Sequence, residues 1–576
     1  MKGPLPNWAN EMCDLFRSGS TAQFILHGNI FDVVPAELSR GPNMLSLPEY
    51  LQEVMFDSYD VILRYDRGRG IRAIRGEKDW SEWFEQASGL GAEALSNIRE
   101  PGRALELIDR YLLRTLNLQT IQAAEGGQRK IAVIIDFAEF VVPQGNALQL
   151  GGEFSANVVK ILGWANDPAI LRSNIVSVLI TEGLHDLNEL VVENPHCTKL
   201  KIPLPDEADM LHYLQMLIQK SMPELPVKCD VPIETLARRL TGLSRVSAQT
   251  ALSLALKKEG KITTEWLSKM KKTMIERECQ GLLEFLESPY TLDHVAGHEA
   301  AKTWLREDTK LMRKGVFHAL PMGYLIVGRI GTGKTFLIQS WAGELGIPCL
   351  VFKNFRDRWV GATESNLEKI FSILHALGQV VVFVDEADQA AGKRESGDGD
   401  SGLSGRIYAM LAKEMSDTRN RGRIVWVFAT SRPDLLEVDL KRQGRLDIHI
   451  PLFAPQTKEE MTTLLQAVAK KLRFPLTKQD LPDLPDGLLL GGNEVEGVLV
   501  RALRIYELAA EPRTSLKEIL AETLQQVRPS AHTRKLEYMD LVAVRECTDD
   551  RFLPIHFQNY RPEQLEQRIE ELRRFI

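Results

Sequence analysis

The sequence predicts an α/β protein in which one plan is laid down twice, and three observations carry that expectation. Apolar runs of strand length alternate with helix-length segments in both halves of the chain. A phosphate-loop motif stands in the second half alone, as Gly328-Arg329-Ile330-Gly331-Thr332-Gly333-Lys334-Thr335. Short stretches also recur in a single register. Asp186-Leu187-Asn188-Glu189 runs parallel to Asp434-Leu435-Leu436-Glu437, and Ile202-Pro203-Leu204 to Ile450-Pro451-Leu452, both offset by 248 (434 − 186 and 450 − 202). The expected fold is therefore two P-loop-type parallel α/β domains, each followed by a small helical lid, with the first domain degenerate. The expected bounds are 1–280 for the first domain with its helical subdomain and 285–455 for the second α/β domain. A lid at 456–530 and a helical tail at 531–576 complete the chain.

Composition sets the class. A chain of 576 residues exceeds one ordinary core, and 44% hydrophobic with 26% charged residues is usual for a globular protein. A net charge of −7 argues against a dedicated nucleic-acid binder. The six cysteines are scattered without metal-ligand spacing, so they read as reduced packing residues. No apolar run approaches the roughly 18 residues of a membrane span, and the first residues lack the apolar segment of a signal peptide. A cytoplasmic protein is expected.

In the first half, strands are expected at 22–27, 60–65, 131–135, 175–180 and 198–202, separated mostly by helix-length segments. After Pro205 the pattern turns helical, over 206–221 and 233–258, with Gly242-Leu243-Ser244 as a turn. Where a phosphate loop should follow the first strand, the chain reads Gly28-Asn29-Ile30-Phe31-Asp32-Val33-Val34, without Gly-Lys-Thr. The third strand ends in Asp136-Phe137-Ala138-Glu139, a lone acid followed by an aromatic residue. Gly68-Arg69-Gly70 reads as a turn rather than an anion site. The first half has lost its chemistry.

In the second half, His294 and His298 invite a zinc reading. A metalloprotease helix needs His-Glu-x-x-His, and Val295 stands where the Glu should be. The segment reads better as the entry of an ATPase domain. The apolar run 324–327 delivers the phosphate loop, and the helix that follows, from Phe336, adds its N-terminal dipole. Lys334 would reach the β- and γ-phosphates of ATP, and the Thr335 hydroxyl would take one Mg²⁺ position. After a second strand at 349–352 comes Arg358-Trp359-Val360-Gly361, whose tryptophan sits in a polar loop and could grip an extended polypeptide. A buried strand at 379–384 ends in Asp385-Glu386. Asp385 would hold Mg²⁺ and Glu386 would orient the attacking water. Gly392 to Ser404 is rich in Gly, Ser and Asp and should form a loop. A fourth strand, 423–428, leads to Ser431, which could hydrogen-bond the γ-phosphate. Before a fifth strand at 447–450 stand Arg442 and Arg445, guanidinium groups suited to charge developing in a neighbouring subunit's site.

These motifs, in this order, resemble AAA ATPases over roughly residues 285–525, most closely the branch of hexameric ring unfoldases. The resemblance implies a ring of six copies with ATP held at subunit boundaries. Lys334, Thr335, Asp385 and Glu386 would act in one subunit, with Arg442 and Arg445 entering as fingers from the next. Trp359 would be the pore-loop aromatic that pulls a protein substrate. Two departures stand out: Ser431 replaces the family's usual Asn, and Gly492-Asn493-Glu494 replaces its Gly-Ala-Asp. At the offset of 248, Asn194 and Cys197 stand in the first half where Arg442 and Arg445 stand in the second. The chain thus resembles a tandem AAA protein whose first copy does not hydrolyse ATP. In the tail, Leu565, Ile569, Leu572 and Ile576 share one face of a helix, which should pack against the ring. The rival expectations are a nucleotide-switched assembly scaffold and, disfavoured by the acidic balance, a DNA-remodelling ATPase.

Overall fold

The computed structural model describes residues 5–38, 41–89, 98–121, 129–145, 151–279, 281–353, 363–388, 401–474, 476–484, 490–508, 515–526 and 532–574. The chain divides into two compact units. Met1–Ile275 with Gly361–Ala376 forms the first, and Glu276–Val360 with Leu377–Ile576 the second. Among the described residues no helix is long and apolar enough to cross a membrane.

Among the described residues the first unit holds eight strands: β1 (Gln23–Gly28), β2 (Val33–Leu38), β3 (Gly41–Ser46), β4 (Val61–Asp66), β5 (Gly70–Arg75), β6 (Ile131–Ile135), β7 (Ile175–Ile180) and β8 (Cys197–Ile202). Six of them make a sheet in the order β5-β4-β6-β7-β1-β8, parallel except for β5. Strands β1, β4, β6 and β7 are buried almost throughout, as both faces of a parallel sheet must be. On one face Trp80, Trp83 and Tyr111 stack within 4.9–5.2 Å of one another, which anchors the flanking helices. Helices Glu207–Lys220, Ile233–Leu240 and Arg245–Lys258 follow the sheet.

Three of these strands were not expected from the sequence. Between β1 and β4 the chain forms the antiparallel hairpin β2–β3 ahead of a short helical segment, Leu47–Met55. Pro35 and Pro42 lie inside those strands, and proline is tolerated there because each strand has only one partner. Strand β5 follows the Gly68-Arg69-Gly70 turn, which Asp66 holds by accepting from the N–H groups of Gly68 (3.0 Å) and Arg69 (2.7 Å).

The second unit repeats the sheet with β9 (Leu283–Phe285), β10 (Gly323–Val327), β11 (Cys349–Phe352), β12 (Val380–Val384), β13 (Ile424–Thr430) and β14 (Ile448–Pro451). Their order is β9-β11-β12-β13-β10-β14, parallel except for β9. Position by position this matches the first unit. Even the antiparallel edge recurs, although β5 follows its partner in the chain and β9 precedes it. Helices Lys458–Lys471, Gly492–Leu508 and Leu516–Gln525 share a separate core around Leu465, Leu499 and Leu520.

The stretch expected as a loop at 392–404 is helical at its end: helix Ser401–Met415 begins inside it, and 392–400 lie outside the described residues. The local Gly and Ser content suggests a breaker, but the apolar spacing from Leu403 onward continues a helix. In the tail, helices Thr533–Glu546 and Pro562–Arg573 bury Tyr538, Leu541, Leu565, Ile569 and Leu572 with Phe453.

Candidate active site

Strand β10, buried at every residue, delivers the phosphate loop at its C-terminal end. Gly328 has φ 147°, and a Cβ there would lie 2.2 Å from the Leu452 carbonyl oxygen, so only glycine fits. Helix Lys334–Leu345 starts where the loop ends, which directs its N-terminal N–H groups and dipole at the loop. The Lys334 ammonium donates to the carbonyls of Gly328 (2.8 Å) and Arg329 (3.0 Å) and to Ser431 Oγ (2.9 Å). Burial pulls its pKa down to about 8, against the opposing pull of Asp385, Asp388, Asp540 and Glu386. Ile330 is exposed, and Phe336 meets Tyr290 edge-on with ring centroids 5.2 Å apart.

Two acids close the other side. Strand β12 is buried at all five positions and ends at Asp385, whose Oδ2 accepts from Thr335 Oγ1 at 2.8 Å. Two hard oxygen donors on adjoining elements suit Mg²⁺. Glu386 follows in the left-handed region at φ 47°, with its side chain exposed. A non-glycine residue held there is a strained placement of the kind found at working sites. Strand β13 ends in Thr430, which donates to Asp388 at 2.6 Å and leads directly to Ser431.

The structure thus brings Lys334, Thr335, Asp385 and Ser431 together at the phosphate loop as two hydrogen-bonded pairs, Lys334 with Ser431 and Thr335 with Asp385. Arg442 and Arg445 are part of neither: both guanidinium groups engage the exposed Asp439 segment, through its carboxylate and its backbone oxygen respectively. Arg358-Trp359-Val360-Gly361 lie outside the described residues.

Several contacts at the site were not legible in the sequence. Arg432 pairs with Asp434 (2.8 Å) and lies over the Tyr538 ring, and the Tyr538 hydroxyl donates to Asp434 at 3.1 Å. Burial raises the Asp434 pKa, but Arg432 outweighs it and holds the carboxyl below its ordinary value. Lys441, beside Arg442, pairs with Glu546 at 2.7 Å. Asp540 faces Arg329 of the phosphate loop at 3.6 Å. Tyr538, Asp540 and Glu546 all belong to the tail helix Thr533–Glu546, more than a hundred residues from their partners. No local pattern announces them.

A cavity of about 840 Å³ opens from Gly331, Thr332 and Gly333. Val295 to His298 line one side of it, and the lid helix Lys458–Lys471 with Gly492 and Asn493 lines the other. Gly492 N–H donates to the Gly331 carbonyl at 2.7 Å, so the lid is bonded to the loop itself. The size suits a ligand that extends from the loop to the lid.

A buried parallel strand, a glycine-bounded loop with Lys-Thr, and two acids at the end of the strand next but one in the sheet define a P-loop nucleotide-binding protein. Residues 324–453 match the model of the ATPase family associated with various cellular activities (AAA). Residues 2–203 match an AAA+ chaperone N-terminal Rossmann-like domain, and 211–280 an AAA+ chaperone second helical domain. The chain belongs to the AAA family, as a tandem protein with an α/β domain in each half.

Relatives agree. A Cell division cycle protein 48 homolog of Archaeoglobus fulgidus is 26% identical over 451 residues, which covers 70% of this chain and 60% of the relative. An ATP-dependent zinc metalloprotease FtsH of Aster yellows witches'-broom phytoplasma is 28% identical over 261 residues, covering 44% of this chain and 38% of the relative. A peroxisomal ATPase PEX6 of Candida glabrata is 29% identical over 276 residues, covering 43% and 27%. The chain therefore spans less than two thirds of each of these curated relatives.

Proposed function

We propose that this chain is a Mg²⁺-dependent ATPase that assembles with copies of itself into a six-membered ring in the cytoplasm and uses turnover to remodel or unfold a protein substrate. The observation that carries the reading is the pair of hydrogen bonds at the phosphate loop, Lys334 to Ser431 and Thr335 to Asp385, with Glu386 next to Asp385.

In this reading Gly328 to Phe336 cradle the phosphates, and Lys334 exchanges its three internal acceptors for β- and γ-phosphate oxygens. Thr335 and Asp385 hold Mg²⁺, which when bound offsets negative charge on the phosphates. Glu386 orients the attacking water and takes its proton, and Ser431 hydrogen-bonds the γ-phosphate through a shorter side chain than the family's asparagine. Arg442 and Arg445 bond the exposed Asp439 segment and not Lys334 or its neighbours at the loop, which supports a role as fingers in a neighbour's site. Trp359 supplies the pulling aromatic. The ATP-dependent metalloprotease and the ATPase among the relatives, by their names, support the hydrolytic part of the reading.

Electron microscopy of the Glu386→Gln protein with ATP tests the assembly: a closed ring is expected, and a monomer with bound nucleotide would refute it. Trp359→Ala should keep basal hydrolysis within about twofold and abolish remodelling of an added unfolded polypeptide. Stimulation of hydrolysis by that polypeptide separates the remodeller from a nucleotide-switched scaffold.

A further inference from the structure

Arg329 is a charged residue in the second position of the phosphate loop, and it does not face the phosphate side. Its backbone carbonyl belongs to the inner frame of the loop, where it accepts from Lys334 Nζ and from Thr332 Oγ1, both at 3.0 Å. Its side chain is 8% exposed and turns to Asp540 on helix Thr533–Glu546, at 3.6 Å. A buried guanidinium is tolerated only beside a counter-charge. Asp540 is itself strained by its surroundings: burial pushes its carboxyl up to about 6, and Oδ1 is buried without a hydrogen-bond partner. A carboxylate retained in such a place calls for a reason other than stability. The same helix grips the segment after Ser431 through Tyr538, and the segment before Arg442 through Glu546.

We infer that Asp540 is a positioning residue for nucleotide binding: it holds Arg329 outward, and so fixes the loop carbonyls that steer Lys334. The C-terminal helix then becomes a working part of the nucleotide site rather than a passive tail. This inference rests on the ATP-binding role proposed above. Without Asp540 the guanidinium loses its counter-charge on the C-terminal helix, which unsettles the loop backbone that steers Lys334 and lowers affinity more than turnover at saturation.

The experiment measures binding of a fluorescent ATP analogue with Mg²⁺, together with KM, kcat and a thermal melt, on the full chain. Asp540→Asn should weaken binding and raise KM by about tenfold, with kcat changed less than twofold, and Asp540→Glu should recover most of the loss. Arg329→Met combined with Asp540→Asn should cost no more than the worse single change, the signature of one coupled pair. Losses that multiply, or Asp540→Asn binding within twofold of the parent, would overturn the inference. Lys334→Ala, run in parallel, tests the ATP site itself: if it binds as the parent does, the earlier reading fails instead.

Should Asp540→Asn not fold, the pH profile of the parent serves. The charged groups facing Asp540 are Arg329 and Lys334 of the loop and Glu537 of its own helix. Protonating Asp540 below about pH 6 should weaken binding more in the parent than in Arg329→Met. Identical profiles would overturn the inference.

Discussion

The ends of β6 and β12 occupy the same place in two copies of one sheet, and they have opposite fates. Each strand runs five residues into an aspartate, Asp136 in the first copy and Asp385 in the second. The following residue has positive φ in both, 53° for Phe137 and 47° for Glu386. The backbone is conserved between copies while the chemistry is exchanged. In the second copy the acid meets a threonine hydroxyl, an arrangement open to a metal ion. In the first, the Arg64 guanidinium donates to Asp136, with both side chains largely buried. The loops diverge in the same sense. Asp32, after β1, accepts from the N–H groups of Arg245 and Val246, both at 3.0 Å, at the start of helix Arg245–Lys258. In the second copy the corresponding lid helix instead bonds the phosphate loop. The first copy has built a permanent cation and a permanent anion into places where the second keeps exchangeable partners.

This contrast can be broken in three places. The largest effect should come from the pair that shares a backbone conformation. Glu386→Gln should cut hydrolysis by about a hundredfold or more while nucleotide still binds, whereas Phe137→Glu should add no turnover. Steady-state ATPase assays on both variants check this, and activity gained through Phe137→Glu would show that the first copy needs only its acid. Next, Arg64→Met leaves Asp136 buried without its counter-charge and should destabilise the first unit by about 3 kcal/mol, read from chemical denaturation. Nucleotide affinity should stay unchanged. The smallest effect belongs to Asp32→Asn, which weakens a charged cap and should cost about 1–2 kcal/mol, again without touching nucleotide affinity. A shift in affinity in either variant would mean that the first copy takes part in binding.

Much of the sheet architecture was legible because strands buried on both faces read as unbroken apolar runs. Strands β6, β7, β12 and β13 stand out for that reason. The strands that escaped lack that signature. β2 and β3 carry prolines, β5 alternates arginines with aliphatic residues, and β9 has three residues. The phosphate loop was legible because its chemistry is local: glycines, lysine and threonine must follow one another to curl a backbone around phosphate. Asp540, Tyr538 and Glu546 were not, because their partners are fixed by tertiary packing and nothing in their own neighbourhood marks them. The insertion of the β2–β3 hairpin ahead of the helical segment Leu47–Met55 escaped as well. Spacing between strands bounds the length of a connection but not its conformation.

The two outer borders of the second sheet carry a further consequence. On one side β9 pairs with β11. On the other, His449 of β14 donates its N–H to Thr548 Oγ1 at 2.9 Å, just past helix Thr533–Glu546. An unpaired strand border is a template onto which stray chains add; a three-residue antiparallel strand ends the sheet on one side, and a segment from outside the sheet caps β14 on the other. A protein shortened to end before residue 533 would bare the β14 border and should self-associate without order, seen as light scattering that grows with concentration.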